Sequence, residues 1–140
     1  MLARLPDYFT PNTHDEVRRS FPEHRAWVAT RGDEVVGFVL VESRYPTTAE
    51  ITFAAVRREH QGAGVGTELV ETALAALAEE GTAIVEVKTL DASADYEPYV
   101  ATRAFWQGRG FHQIDCIDPL PGWQPGNPAA IYVAALATTR

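Results

Sequence analysis

Gly62, Gly64 and Gly66 alternate in the segment RREHQGAGVGT, residues 57–67. An apolar run, AEITFAAV, leads into this turn, and ELVETALAALAEEG follows it. Alternating glycines let the backbone take conformations that a side chain forbids and let it approach a ligand closely. Where such a turn opens a helix, several N–H groups lack intrahelical acceptors and the helix dipole is positive. That pairing suits a phosphate or pyrophosphate. Thr67 adds a hydroxyl at the helix entrance. The same glycines also fit a plain strand-to-helix turn, so neighbouring residues must choose between the two.

Two phosphate loops are excluded by spacing. A Walker A loop needs Lys followed by Ser or Thr after its last glycine, and Gly66 is followed by Thr67 and Glu68. A dinucleotide fingerprint needs G-x-G-x-x-G, and the spacing here is G-x-G-x-G. The run Gln61-Gly62-Ala63-Gly64-Val65-Gly66 instead resembles the signature of the GNAT superfamily, the acyl-CoA-dependent N-acyltransferases, whose pattern is Q/R-x-x-G-x-G/A. Val56 occupies the strand-ending valine five residues before Gln61. Two positions depart from the wider pattern: Arg58 stands for a frequent Pro and His60 for a frequent Tyr. A second landmark resembles the family's A-x-x-F-Y-x-x-x-G-F helix end: Thr102, Phe105, Trp106, Gly110 and Phe111 fall at that spacing. The resemblance covers roughly residues 25–136.

What the resemblance implies is a splayed gap between two parallel strands, with acetyl-CoA as cosubstrate. The pyrophosphate would rest on backbone N–H groups of Gln61, Gly62, Ala63, Gly64, Val65, Gly66 and Thr67. Pantetheine would add to the strand edge near Ala54, Ala55 and Val56, with Trp106 on the facing helix at the cofactor wall. An N–H near Val56 would stabilise the oxyanion of a tetrahedral intermediate.

Amine acylation by a thioester requires a neutral amine, yet an alkylamine has a pKa of about 10.4. A base must take the proton, directly or through water. Glu50 is the candidate base: AEITFAAV resembles the corresponding strand of the histone-acetylating branch, which carries its glutamate base at this position. Strand alternation predicts Glu50, Thr52, Ala54 and Val56 on one face, with Ile51, Phe53 and Ala55 on the other. Many relatives protonate the leaving thiolate with the tyrosine of the F-Y pair, but here that position is Trp106. An indole N–H donates a hydrogen bond without serving as an acid at neutral pH. Tyr99, two turns earlier on the same helix face, is the replacement candidate, with packing against the substrate wall as its alternative. Because no Ser/Cys–His constellation is visible, direct transfer is expected.

Other polar residues have plainer readings. His60 lines the solvent side of the turn, and Arg57, Arg58 and Arg103 are surface charges that can also meet phosphate. Cys116 lies in an apolar strand and is expected to be buried and inert. Trp123, in PLPGWQPGNP, either covers an acceptor pocket or packs on the sheet.

These residues need a scaffold. Residues 13–20 read as a short capped helix ended by Pro22. AWVATR and EVVGFVLVE flank Gly32-Asp33 as a hairpin, and a third strand runs from Ala49 to about Arg57 after the connection at residues 45–48. Val65, Leu69, Ala73, Leu74 and Leu77 recur at helical spacing, with Gly81 as the stop. AIVEVKTL follows as a strand parallel to the third. A second helix spans about residues 98–107, and residues 111–117 and 130–137 form the last strands, joined by a Pro- and Gly-rich loop. The expectation is one mixed α/β domain over residues 1–140, with a central sheet flanked by helices.

The chain has 140 residues, 46% hydrophobic and 22% charged, as for an ordinary globular protein. One cysteine and four scattered histidines predict neither a disulfide framework nor a metal site. No apolar run approaches the roughly 20 residues of a membrane span, and the start, MLARLPDYF, lacks a signal-peptide core, so a cytoplasmic protein is expected. The net charge of −7 argues against nucleic acid and leans toward a cationic amine, on a small molecule or peptide. A homodimer is compatible with these features. The competing reading is an acyl-CoA-binding regulatory domain without catalysis, which Trp106 favours; a third is an interaction protein that keeps only the fold.

Overall fold

The computed structural model describes residues 24–94 and 97–137. The short helix expected at residues 13–20 lies outside them. Six strands form one sheet in the order β1-β2-β3-β4-β6-β5. They are β1 His24–Arg31, β2 Glu34–Tyr45, β3 Thr48–Val56, β4 Ile84–Leu90, β5 His112–Ile117 and β6 Ala129–Ala135. Helix α1 spans Val65–Glu79 and helix α2 spans Pro98–Gly108. β1, β2 and β3 form an antiparallel meander, β4 joins β3 in parallel, and β6 inserts antiparallel between β4 and β5. Among the described residues no helix is long and apolar enough to cross a membrane.

The meander is longer than local turn chemistry suggests. Tyr45 pairs with Thr48, so β2 runs through the residues expected as a loop and only Pro46 and Thr47 turn the chain. Phe111 precedes β5 rather than belonging to it and is buried against Trp106, their ring centroids 5.3 Å apart.

The periodic face of α1 does what its spacing predicts. Val65, Leu69, Val70, Ala73, Leu74 and Leu77 are buried in the core with Val39, Val41 and Ile51. Gly37 permits the close approach. A Cβ there would lie 3.1 Å from the Ala55 carbonyl oxygen and 3.1 Å from Leu69 Cδ1. The helix ends where Thr82 N–H donates to the Leu77 carbonyl at 2.9 Å and Gly81 takes φ +97°.

Which face each β3 residue presents follows from its β2 partner. Gly37, Val39 and Val41 alternate regularly and pair with Val56, Ala54 and Ile51. Glu42, Leu40 and Phe38 pair with Glu50, Phe53 and Ala55. The register slips between Leu40 and Val41, leaving Thr52 as an extra residue in β3. This bulge corrects the expected alternation: Ala54 and Val56 lie on the α1 face, and Glu50 lies on the opposite face.

Candidate active site

The bulge stands where the sheet opens. β3 and β4 pair in parallel only from Thr48/Ile84 to Ile51/Val87, and the next β3 residue is Thr52. A bulge adds local twist, which carries the two strands apart. Residues 52–56 therefore have no β4 partner, and a strand edge faces the gap.

The glycine turn closes one end of that gap. Gln61 Nε2 donates to the Val56 carbonyl oxygen at 3.0 Å, pinning the turn to the end of β3. Gly62 and Gly64 take φ of +83° and +86°, a region open chiefly to glycine. Gly64 caps α1, and the first-turn N–H groups beyond it have no intrahelical acceptor. A Cβ on Gly66 would point between Phe105 and Val56, at 3.5 and 3.6 Å.

These elements enclose a cavity of about 670 Å³. Ala54, Ala55 and Val56 form its β3 wall; His60, Gln61, Gly62, Gly64, Gly66 and Thr67 form its turn wall; Thr102, Phe105 and Trp106 form its α2 wall. Of the residues expected at the cofactor, Ala63 and Val65 do not line it: Val65 is buried in the core and Ala63 is exposed beside the turn. Trp106 is buried and packs edge-on to Phe105, with centroids 5.0 Å apart.

Glu50 does not line this cavity. It is buried on the opposite face, beside the apex of the gap. Arg44 donates to Oε1, and Lys88 Nζ donates to Oε2 at 2.8 Å. Glu42 and Glu86 flank it on the neighbouring strands, so three carboxylates share one row across the sheet. Arg44 is held above its ordinary pKa by its hydrogen bond to Glu50; desolvation opposes this, and the charges of Glu50, Glu42 and Glu86 add to it. Arg44 and Lys88 carry no motif. The one available signal is that Lys88 is the only lysine in the sequence.

Tyr99 is 36% exposed and lines a second hollow of about 580 Å³, with Leu90, Trp123 and Asn127. Spacing puts it over Trp106 on the helix, but the two side chains serve different hollows. Trp123 stands in this second hollow, at the loop between β5 and β6.

The remaining expectations divide. Arg57 pairs with Glu34 at 3.1 Å and Arg103 donates to the Leu90 carbonyl at 2.9 Å, so both are engaged within the protein. Cys116 is exposed, which corrects the expected burial: β5 is the sheet edge and leaves the side chain uncovered. Partial desolvation, then the carboxylates of Asp91, Asp115 and Asp118, push its thiol up. Asp91 is pulled down to about 2, chiefly by Ser93 and then by Gln113.

A mixed sheet that splays beside a glycine turn and a helix N-terminus defines an acetyltransferase-type α/β fold. The profile of the Acetyltransferase (GNAT) family matches residues 2–111, and the chain belongs to that family. Solved structures agree at the level of fold. A GNAT-family protein from Desulfovibrio desulfuricans is 19% identical, with 96% of this chain and 88% of that one covered and a TM-score of 0.73. Ard1 from Thermoplasma volcanium is 22% identical over 94% and 82% of the two chains, with a TM-score of 0.72. A GNAT acetyltransferase from Elizabethkingia anophelis, solved with acetyl-CoA bound, is 16% identical over 89% and 85%, with a TM-score of 0.71. No curated protein matches the chain.

Proposed function

We propose that residues 1–140 work as one domain that moves an acetyl group from acetyl-CoA directly to a primary amine. The observation that carries this reading is the gap itself: an unpaired β3 edge, a helix N-terminus with free N–H groups, and a cavity of about 670 Å³ between them. The fit is chemical as well as spatial. Free N–H groups at the positive end of a helix answer a pyrophosphate, and an unpaired strand edge answers the amides of a pantetheine arm. Ala55 and Val56 would offer backbone to the arm, Gly62, Gly64, Gly66 and Thr67 would offer N–H groups, and Trp106 would wall the opposite side. The Gln61 and Ala63 N–H groups are engaged within the turn, by the Arg58 and His60 carbonyls.

The acceptor amine would approach from the face that carries Glu50, Glu42 and Glu86. Three carboxylates against Arg44 and Lys88 leave that row net negative, which favours a cationic amine on a small molecule or peptide. Glu50 would accept the ammonium proton, directly or through water, once one of its cationic partners turns away. Tyr99 and Trp123, in the second hollow, would contact the acceptor. Tyr99 as donor to the leaving thiolate is disfavoured, because it does not line the cavity that would hold the thioester.

A second reading has its own observation. Glu50 has both oxygens engaged, and the family's usual tyrosine is the buried Trp106, as a domain that binds acyl-CoA without turnover would have. Free-thiol release from acetyl-CoA with a panel of amines separates the two. Release that depends on an amine and falls at least about tenfold in Glu50→Gln supports transfer. A rise in Tm with CoA but no release on any amine supports the binding domain.

A further inference from the structure

Lysine occurs once in this chain, at position 88; every other residue among the 12 Lys and Arg is an arginine. The two cations differ in the property that matters at a thioester. A guanidinium is not deprotonated in a protein, so it cannot attack an acyl carbon, whereas a lysine amine can. Arginines make exposed pairs such as Arg25–Glu80 and Arg109–Glu71, while the lone lysine pairs with the buried Glu50.

Its position is specific. Val87 is the last β4 residue paired with β3, and Lys88 is the next, at the apex where the sheet opens. Its side chain is 24% exposed. Nζ lies 2.8 Å from Glu50 Oε2, the carboxylate that the proposed function assigns as proton acceptor. An amine and a carboxylate thus lie side by side next to the point where β3 and β4 part. In chemical terms Lys88 presents what an acceptor amine would present, already delivered to the base.

We propose that Lys88 is itself an acetyl acceptor, modified from an acetyl thioester bound in the adjacent gap. The inference rests on the acetyl-CoA reading above. The ammonium gives one proton to Glu50. The neutral Nζ lone pair attacks the thioester carbonyl carbon, the C–N bond forms, and the C–S bond breaks with its pair on sulfur. The thiolate takes a second proton from the nitrogen and leaves as a thiol, and Glu50 passes its proton to water. Nothing is oxidised or reduced. The product is a neutral amide, so Glu50 Oε2 loses its charged donor and keeps only the Arg44 contact on Oε1. Acetylation thereby converts a carboxylate clamped by two cations into one with an oxygen open to an incoming ammonium.

The test incubates the full chain with acetyl-CoA and no amine, and reads thiol release, peptide-resolved mass and Tm. The expected result is at most one equivalent of thiol and one acetyl group at residue 88. Lys88→Arg keeps a cation beside Glu50 and should show neither. Absence of the acetyl group from Lys88, in protein whose Tm rises with CoA, overturns the inference and leaves the acetyl-CoA reading intact. Equal labelling of Lys88 in heat-unfolded chain also overturns it, because the cleft then contributes nothing. Failure of CoA to raise Tm overturns the reading on which the inference rests, and the inference with it.

Discussion

Gln61 Nε2 lies 3.0 Å from the carbonyl oxygen of Val56, so the glycine turn is tied to the strand end on which the cavity is built. The bond sets the distance between the N–H groups of the turn and the unpaired edge of β3. Gln61→Ala removes it. Such a bond contributes about 1 kcal/mol, equivalent to roughly fivefold in an equilibrium constant. The expected outcome is a rise of about that size in the KM for acetyl-CoA with kcat little changed. Steady-state kinetics with a saturating amine measures both.

Gly37 sits where β2 meets both β3 and α1. Gly37→Ala puts a methyl 3.1 Å from the Ala55 carbonyl, which as backbone cannot turn aside. Overpacking of this kind costs about 1–3 kcal/mol. A fall in Tm is expected, and a weaker response of Tm to CoA, because Ala55 belongs to the cavity wall.

Asp91 ties the end of β4 to its surroundings. Its Oδ2 accepts from the Ser93 backbone at 2.9 Å and its Oδ1 from Gln113 Nε2 at 2.7 Å. These bonds, Ser93 first, lower its pKa from 3.8 to about 2. The folded state therefore binds this proton less readily than the unfolded one. The stabilisation is complete above about pH 4 and is lost as pH falls through about 2. Exposure to solvent limits it to about 0.5–1 kcal/mol. Asp91→Asn should be less stable by that amount at pH 7, with the difference vanishing near pH 2. Urea unfolding across this range reads it directly.

Tyr99 and Trp123 share a hollow that the glycine turn does not enter. Tyr99→Phe keeps the ring and removes only the hydroxyl. If the ring serves the acceptor wall, KM for the amine moves by no more than about threefold and kcat holds; loss of a general acid lowers kcat by about a hundredfold. The first outcome is expected, since Tyr99 does not line the cavity that would hold the thioester.

The glycine signature and the order of strands and helices were legible because each depends on local chemistry. Turn residues, helical periodicity and the spacing from Val56 to Gln61 act within a few residues of one another. The family landmark at Phe105 and Trp106 was legible too, and the fold carries both to one cavity wall. The face assignment of β3 was not, because a single extra residue at Thr52 reverses the alternation, and only pairing with β2 reveals it. Burial of Cys116 failed for a related reason: an apolar strand reads the same in the centre of a sheet as at its edge.

What the sequence by itself determined is the glycine turn and the helix it opens, because glycine φ angles and a helix N-terminus are properties of a short segment. Only the tertiary structure decided the state of Glu50. Arg44 lies 6 residues away across the turn at Pro46 and Thr47, whereas Lys88 lies 38 residues away on β4, which no local segment links to it. Glu50 and Lys88 meet only when β3 and β4 pair, and that pairing brings Lys88 to the point where the sheet opens.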